Sequence, residues 1–326
     1  MASREPSSGY GSASLQPAAG EQARRREAVS GRAFVTGGTG FAGSHLLELL
    51  PGATAPSREE LDLLDAAAVR AAVRESAPDA VWHLAALASV GRSWEAPAET
   101  IAENVAMTAN LLEAVRTEAP EASVVLISSG EIYGPPDRLP VDEQAPLRPQ
   151  NPYAVSKGAC DLLGGQYADA TGLRVVRLRP FNHTGPRQSD DYVVGTLTRQ
   201  IAEAEVAGQD EALVRTGNPD SARDFSDVRD VVRAYLLAAT LDPGVYNVAS
   251  GRAVSVRELI ELVRAAARIP VRHEVDPARV RAHDVPEVRG SAERLRAVTG
   301  WTPEIPLEQT VADSLESWRE ELGATR

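Results

Sequence analysis

The sequence predicts an α/β protein in which a doubly wound parallel sheet is followed by a smaller α+β cap. Three observations support that reading. An apolar run, RAFVTG (32–37), ends in a glycine-rich turn that opens a stretch with apolar residues at helical spacing, FAGSHLLELL (41–50). Strand-like and helix-like segments then alternate as far as residue 180, which implies right-handed crossovers and helices on both faces of one sheet. Beyond residue 182 the rhythm loosens, with helical stretches near 192–207, 227–240, 255–268 and 307–321.

In chain order, residues 1–30 are rich in Ser, Gly, Ala and Pro and predict a flexible extension. The strand, turn and helix from Gly31 follow, and then GATAPSREELDLLD (52–65), where a second strand is expected but the segment is short and polar. AVWHLAA (80–86) is strand-like, and 97–118 is a helix with Ile101, Val105, Ala109, Leu112 and Val115 on one side. SVVLISS (123–129) is a buried strand, 134–152 a proline-rich loop, 153–171 a helix and LRVVRLRP (173–180) the next strand. No repeat of fixed period is present.

At 326 residues the chain has room for two domains of roughly 150 residues each. We expect a cofactor-binding unit over 31–182, with a return contribution near 224–249, and a substrate cap from 183 to 326. The net charge of −12, with no long basic run, speaks against binding nucleic acid. The single cysteine, Cys160, has no Cys or His neighbours at metal-ligand spacing, so no metal is expected. No stretch reaches about 20 apolar residues and no signal-peptide core is present. These features predict a cytoplasmic protein without a membrane span.

Two motifs bear chemistry. In TGGTGFAG (36–43), Gly37, Gly40 and Gly43 stand between a strand and a helix, where bare backbone lets a pyrophosphate approach the positive helix N-terminus. Taken alone, a glycine-rich turn is also an ordinary turn. In NPYAVSK, Tyr153 and Lys157 share a helix face. Drawing a phenol from about 10 toward neutrality is worth roughly 4 kcal/mol and needs a fixed positive charge beside it; Lys157 can supply it, and Ser129, at the end of the preceding strand, can hold a substrate oxygen. The bare pair is common on ordinary helices; the ordered set of glycine turn, strand-end Ser and Tyr-x-x-x-Lys is not.

That ordered set resembles the extended short-chain dehydrogenase/reductase family, from about Gly31 to beyond Trp301, and implies a Rossmann-type fold. HLAA (83–86) and Asn104 are similar to the family's segments beside the cofactor. By that resemblance Gly37, Gly40, Phe41, Ala42, Gly43, Asp62, Leu63, Leu84, Ala85, Ala86, Asn104, Tyr153 and Lys157 meet the cofactor. For His83 a packed imidazole is expected rather than a catalytic role. RPFNHTGPRQ (179–188), ARDFSDVRD (222–230), YNVASG (246–251), RAHDVPEVRGSAERLRAVTGW (281–301) and SSGEIYG (128–134) resemble the nucleotide-sugar branch. They are most similar to its reductases of a GDP-linked 4-keto-6-deoxymannose, enzymes of deoxysugar biosynthesis. The resemblance implies Asn182, Arg223 and Arg281 at the diphosphate, Asp284 at the ribose hydroxyls, and Val193 with Val194 near the base. It also implies a homodimer through helices 97–118 and 153–171, where Leu111, Leu112, Leu162 and Leu163 exceed the needs of one buried face.

Three positions qualify the resemblance. Arg58 after Ser57 favours the 2′-phosphate of NADP, whereas the adjacent Glu59 and Glu60 would favour NAD. Glu131 is the base that a 4,6-dehydratase of the branch would need, while Gly130 leaves the middle position of that motif without a side chain. Arg187 stands where the branch's reductases usually have glycine and is expected to bring a charge near the substrate entrance. The expected activity is NADPH-dependent ketoreduction of a nucleotide sugar, with Tyr153 as proton donor. A dehydratase or 4-epimerase with tightly bound NAD remains the alternative, and a non-catalytic dinucleotide-binding regulator a more distant one.

Overall fold

The computed structural model describes residues 31–279 and 285–324, so the expectations for the extension 1–30 and for Arg281 and Asp284 lie outside the described residues. The strands are β1 (Ala33–Thr36), β2 (Ala80–His83), β3 (Ser123–Ile127), β4 (Arg174–Pro180), β5 (Asn182–Thr184), β6 (Ala212–Thr216), β7 (Ala222–Asp227), β8 (Gly244–Val248), β9 (Ala253–Ser255), β10 (Val271–Val275) and β11 (Glu287–Val288). The α-helices are α1 (Phe41–Leu49), α2 (Ala66–Ser76), α3 (Val90–Glu95), α4 (Pro97–Glu118), α5 (Pro152–Thr171), α6 (Val193–Val206), α7 (Val228–Ala238), α8 (Val256–Ala266), α9 (Glu293–Thr299) and α10 (Leu307–Ala324).

The central sheet is parallel, in the order β1-β2-β3-β4-β8, as expected of a Rossmann-type fold. Its strands carry apolar residues on both faces because both are covered, and Arg177 and Arg179 of β4 are paired with the buried Asp161 of α5. Ala33, Val35, Trp82, Val125 and Val176 join one core with Leu46 of α1 and Val231 and Tyr235 of α7. Phe34, Val81, Val124, Leu126 and Val175 join another with Val69 and Val73 of α2 and Leu111, Leu112 and Val115 of α4. The expected second strand shrinks to a single bridge, in which Thr54 bonds both ways beside β1. Pro56 follows, cannot donate to a ladder, and turns the chain outward. The chain thus leaves β1 on one side through Thr54 and returns on the other as β2. This reversal is the switch point at which a doubly wound sheet opens a crevice.

The helix boundaries follow local chemistry. Asp65 caps α2 by accepting from Ala67 N and Ala68 N. Asn151 and Pro152 start α5, and Gly172, in the left-handed region, ends it. Ser255 and Glu258 form a reciprocal capping box on α8. The second half holds a two-stranded parallel sheet of β6 and β10, and a sheet of β11, β7 and β5 with β9 antiparallel to β7. Helices α6, α8 and α10 share a core beneath them through Leu197, Ile201, Leu259, Val263, Val311 and Leu315.

One expectation for α4 and α5 is corrected. Leu111 and Leu112 are fully buried in the core and Leu163 packs against it, so these three belong to a single buried face of each helix. Leu162, 62% exposed, is the one of the four that projects outward, with Val155 seven residues earlier also exposed.

Candidate active site

The crevice at the C-terminal ends of β1 to β4 opens into a cavity of about 1400 Å³. A single-ligand pocket usually measures roughly 300–1,000 Å³, so this one has room for a dinucleotide and a second nucleotide end to end. Thr36, Leu84, Ile127 and Pro180, at or just beyond the ends of those strands, line its floor.

At one end lies the glycine turn. Gly37 has φ +75°, and a Cβ there would stand 2.6 Å from Ala85 N. A Cβ on Gly43 would stand 2.0 Å from Gly37 O. Both positions therefore exclude any side chain, and the first turn of α1 comes up under Gly37, Gly40, Phe41 and Ala42 with no side chain capping it. Its free N–H groups and the helix dipole suit a pyrophosphate. His83, behind the turn, accepts or donates between Thr36 Oγ1 at 2.7 Å and Thr108 Oγ1 at 3.1 Å. Burial pushes its pKa down to about 3, so it is a neutral packed imidazole.

Beyond Thr54, the residues Ser57, Arg58, Leu61, Asp62 and Leu63 line the cavity, whereas Glu59 and Glu60 do not. Glu60 instead turns back and accepts from Ser57 N at 2.8 Å. Arg58 is exposed, 4.0 Å from Glu103. Leu84, Ala85 and Ala86 line the cavity as expected of them, but Asn104 does not. Its amide is engaged inside the protein: Oδ1 accepts from Leu87 N at 2.7 Å, and Nδ2 donates to Leu87 O and to Ser156 Oγ. Asn104 therefore positions the 84–87 segment instead of meeting a cofactor itself.

Ser129, Tyr153 and Lys157 all line the cavity. Strand β3 ends at Ile127 and delivers Ser129; the first two turns of α5 deliver Tyr153 and Lys157. Lys157 is buried, and its ammonium donates to Ile127 O. Burial lowers its pKa and raises that of Tyr153, where a hydrogen bond with Ser129 is the counterweight. Burial thus works against the expected draw of Lys157 on the phenol, and the ammonium is engaged by the main chain. The phenol keeps its proton throughout the neutral range and can act as an acid.

Glu131 lines the cavity and accepts from Asn151 Nδ2 at 3.3 Å. Gly130 lies against the Phe181 ring: a Cβ would stand 3.1 Å from two ring carbons. The same ring also packs on Gly290, where a Cβ would stand 2.4 Å from Phe181 Cε2, so both glycines leave space that the ring occupies.

Across the cavity, Asn182, Val193 and Arg223 line the cap side, but Val194 does not; it is buried in the cap core. The first turn of α6 faces the cavity through Val193 and Thr196, three apart and so on one face, while Val194, about 100° round, turns into the core. Arg223 donates to Ala222 O at 2.9 Å and to Val285 O at 2.8 Å. Arg215, Arg279, Trp94 and Tyr192 also line the cavity and were missed from the sequence. Trp94 and Tyr192 are exposed aromatics, a signal invisible until burial is known. Arg187 does not line the cavity. With φ +70° its side chain points to α1, where it pairs with Glu48 at 2.8 Å, so the expected charge at the substrate entrance is absent from there.

A family model described as GDP-mannose 4,6 dehydratase matches residues 53–314. The chain is 41% identical over 296 residues to GDP-6-deoxy-D-mannose reductase of Pseudomonas aeruginosa, covering 88% of this chain and 97% of that one. It is 30% identical to UDP-glucose 4-epimerase of Mycolicibacterium smegmatis, over 88% of this chain and 98% of the other. The solved structure of RMD from Pseudomonas aeruginosa complexed with NADPH superposes with a TM-score of 0.81 at 38% identity, covering 89% of this chain and 99% of that one.

Proposed function

From the premise that the chain belongs to the GDP-mannose 4,6-dehydratase family, a nucleotide-sugar branch of the extended short-chain dehydrogenases/reductases, we propose that it is a GDP-6-deoxy-D-mannose reductase. In this reading it uses NADPH to reduce the C4 keto group of GDP-4-keto-6-deoxy-D-mannose, giving GDP-D-rhamnose. The resemblance in sequence to the Pseudomonas enzyme and in structure to its NADPH complex supports both substrate and cofactor.

The glycine cradle, whose bare backbone fits a pyrophosphate, holds the cofactor through Gly37, Gly40, Phe41, Ala42 and Gly43, with Ser57 and Arg58 at the 2′-phosphate and Leu63 at the adenine. When bound, NADPH supplies a hydride to C4. Ser129 holds the C4 oxygen, and Tyr153 gives that oxygen the proton it needs as the carbonyl π electrons move onto it. Burial, by keeping the phenol protonated, suits this direction of proton flow. Lys157, hydrogen-bonded at the end of β3, holds the nicotinamide ribose. Asn182 and Arg223 bind the diphosphate; a guanidinium presents paired donors to phosphate oxygens.

Gly130 is the observation that favours reduction over dehydration. A dehydratase needs an acid or hydroxyl at this position to expel the leaving group; Gly130 supplies neither, and any side chain there would press on the Phe181 ring. The test is NADPH oxidation with a panel of GDP-, dTDP-, UDP- and CDP-linked 4-keto-6-deoxy sugars, with product stereochemistry assigned. Preferred turnover of the GDP substrate, and its retention in Glu131→Gln, is the expected result. Purification with bound NAD, turnover without added NADPH, and loss of that turnover in Glu131→Gln would overturn it.

We also propose a cytoplasmic homodimer. The exposed Val155 and Leu162 on α5 support the dimer, and the single buried thiol of Cys160 fits a reducing compartment. Residues 31–182 with 224–249 serve as the cofactor unit and the remainder from 183 as the substrate cap.

A further inference from the structure

Arg187 is the residue that the reaction described above leaves unused, and its setting is unusual. Its φ of +70° lies in the left-handed region, which disfavours a side chain and suits glycine. The strained backbone is accompanied by guanidinium contacts that glycine could not make. The Arg187 guanidinium donates through Nη2 to His45 Nδ1 at 2.7 Å and pairs with Glu48 Oε1 at 2.8 Å, both on α1. Its backbone N–H donates to Ser317 Oγ on α10 at 3.3 Å.

His45 completes the link. It is buried, and its Nε2 lies 3.0 Å from Pro186 O. A carbonyl can only accept, so Nε2 carries the hydrogen and Nδ1 is the bare nitrogen that accepts from Arg187. One neutral imidazole therefore bonds two consecutive residues of the cap segment. Facing it are Glu48 from its own helix, Arg187 from the cap segment, Asp227 from β7 and His183 from β5. Burial and the guanidinium keep it neutral.

The two ends of this link are functional surfaces. The first turn of α1 is the phosphate cradle, and its Phe41 ring stacks on His183 at 5.8 Å and 3°. His183, Asn182, Gln188 and Val193 line the substrate side of the cavity. Gln188 fixes the segment between them, accepting from Thr184 Oγ1 at 2.6 Å and donating to His183 O at 2.9 Å.

We propose that Arg187, through His45 and Glu48, is a positioning residue that clasps the substrate-binding segment 182–193 to the cofactor helix and so sets the affinity for the nucleotide sugar. The inference rests on the reductase reading for its kinetic readout, and on the fold alone for its dynamic one.

Arg187→Gly separates the clasp from mere stability, because it removes the guanidinium contacts and the backbone strain together and leaves the main-chain bond to Ser317 in place. The melting temperature is expected to stay level or rise, the KM for the GDP-linked keto sugar to rise three- to tenfold, and the KM for NADPH to change less than twofold. Arg187→Lys, which keeps the charge and its donors on a shorter stem, should fall between. The wild-type KM for the sugar should climb as the pH is lowered below 6.5 and His45 takes a proton at Nδ1; in Arg187→Gly that climb should be gone. Hydrogen exchange of segment 182–193 in the NADP-bound protein should quicken at least threefold in the variant. A panel in which no keto sugar is reduced would refute the reductase reading, and the exchange experiment would still judge the clasp. Unchanged exchange, or equal rises in both KM values together with a lower melting temperature, would overturn it.

Discussion

Replacing Tyr153 by Phe removes one hydroxyl and almost no volume from a half-buried, cavity-lining position at the head of α5. The fold should hardly notice. The lost partner is the Ser129 hydroxyl, which still accepts from Glu131 N at 3.2 Å, so the stability change should be about 0.5–1.5 kcal/mol, that of one neutral hydrogen bond. Turnover should respond on another scale. A positioned general acid contributes typically 10²–10⁴ in rate, roughly 2.7–5.4 kcal/mol of transition-state stabilisation. Steady-state kinetics with the GDP-linked keto sugar and NADPH, beside urea denaturation, separates the two effects. Both KM values should stay within about twofold, since cradle and cap are untouched. The pH profile adds a second check. A donor is active below its pKa, and burial raises that of Tyr153 above the ordinary phenol value of 10, so kcat should stay level on the alkaline side through about pH 9. Near-normal turnover in Tyr153→Phe, or a wild-type alkaline limb near neutrality, would refute the assignment of Tyr153 as a protonated acid.

Arg58→Ala should raise the KM for NADPH about tenfold and leave that for NADH nearly unchanged, since Arg58 lines the cavity and Glu59 and Glu60 do not; equal losses with both would show that it does not read the 2′ position. Gly43→Ala should abolish NADPH binding measured by fluorescence titration, because its Cβ would stand 2.0 Å from Gly37 O and the turn must open to admit it. His83→Gln should flatten the acid dependence of stability. With a folded pKa of about 3 against an ordinary 6.5, His83 stays neutral in the folded protein over that range while it takes up a proton in the unfolded chain, so stability falls as pH drops from 6.5 toward 3, by about 4–5 kcal/mol in all. Urea titrations across that range should show a slope one proton smaller in the variant, and an unchanged slope would mean that His83 does not stay neutral.

Much of this molecule was determined by local pattern. The parallel sheet was legible because β1 to β4 are short apolar runs between helical stretches, and the limits of α4 and α5 because Pro97 and Pro152 open them and Gly172 closes the second. The glycines of the cradle and the order Ser129, Tyr153, Lys157 were legible for the same reason: their chemistry depends on spacing along one chain. Proximity across the chain was not. Nothing local tells that Phe181 fills the space beside Gly130, that Glu60 folds back on Ser57 and leaves Arg58 to the cavity, or that the Asn104 amide is engaged by Leu87 and Ser156. Leu111 and Leu112 looked surplus to one buried face until packing showed both covered by the sheet and its neighbours. Charge behaved likewise: the sequence placed an ammonium one helical turn from a phenol, but only the tertiary structure decided that burial works against it. Arg187 is the clearest case, because a backbone angle, invisible in sequence, turns its guanidinium away from the substrate and onto the cofactor helix.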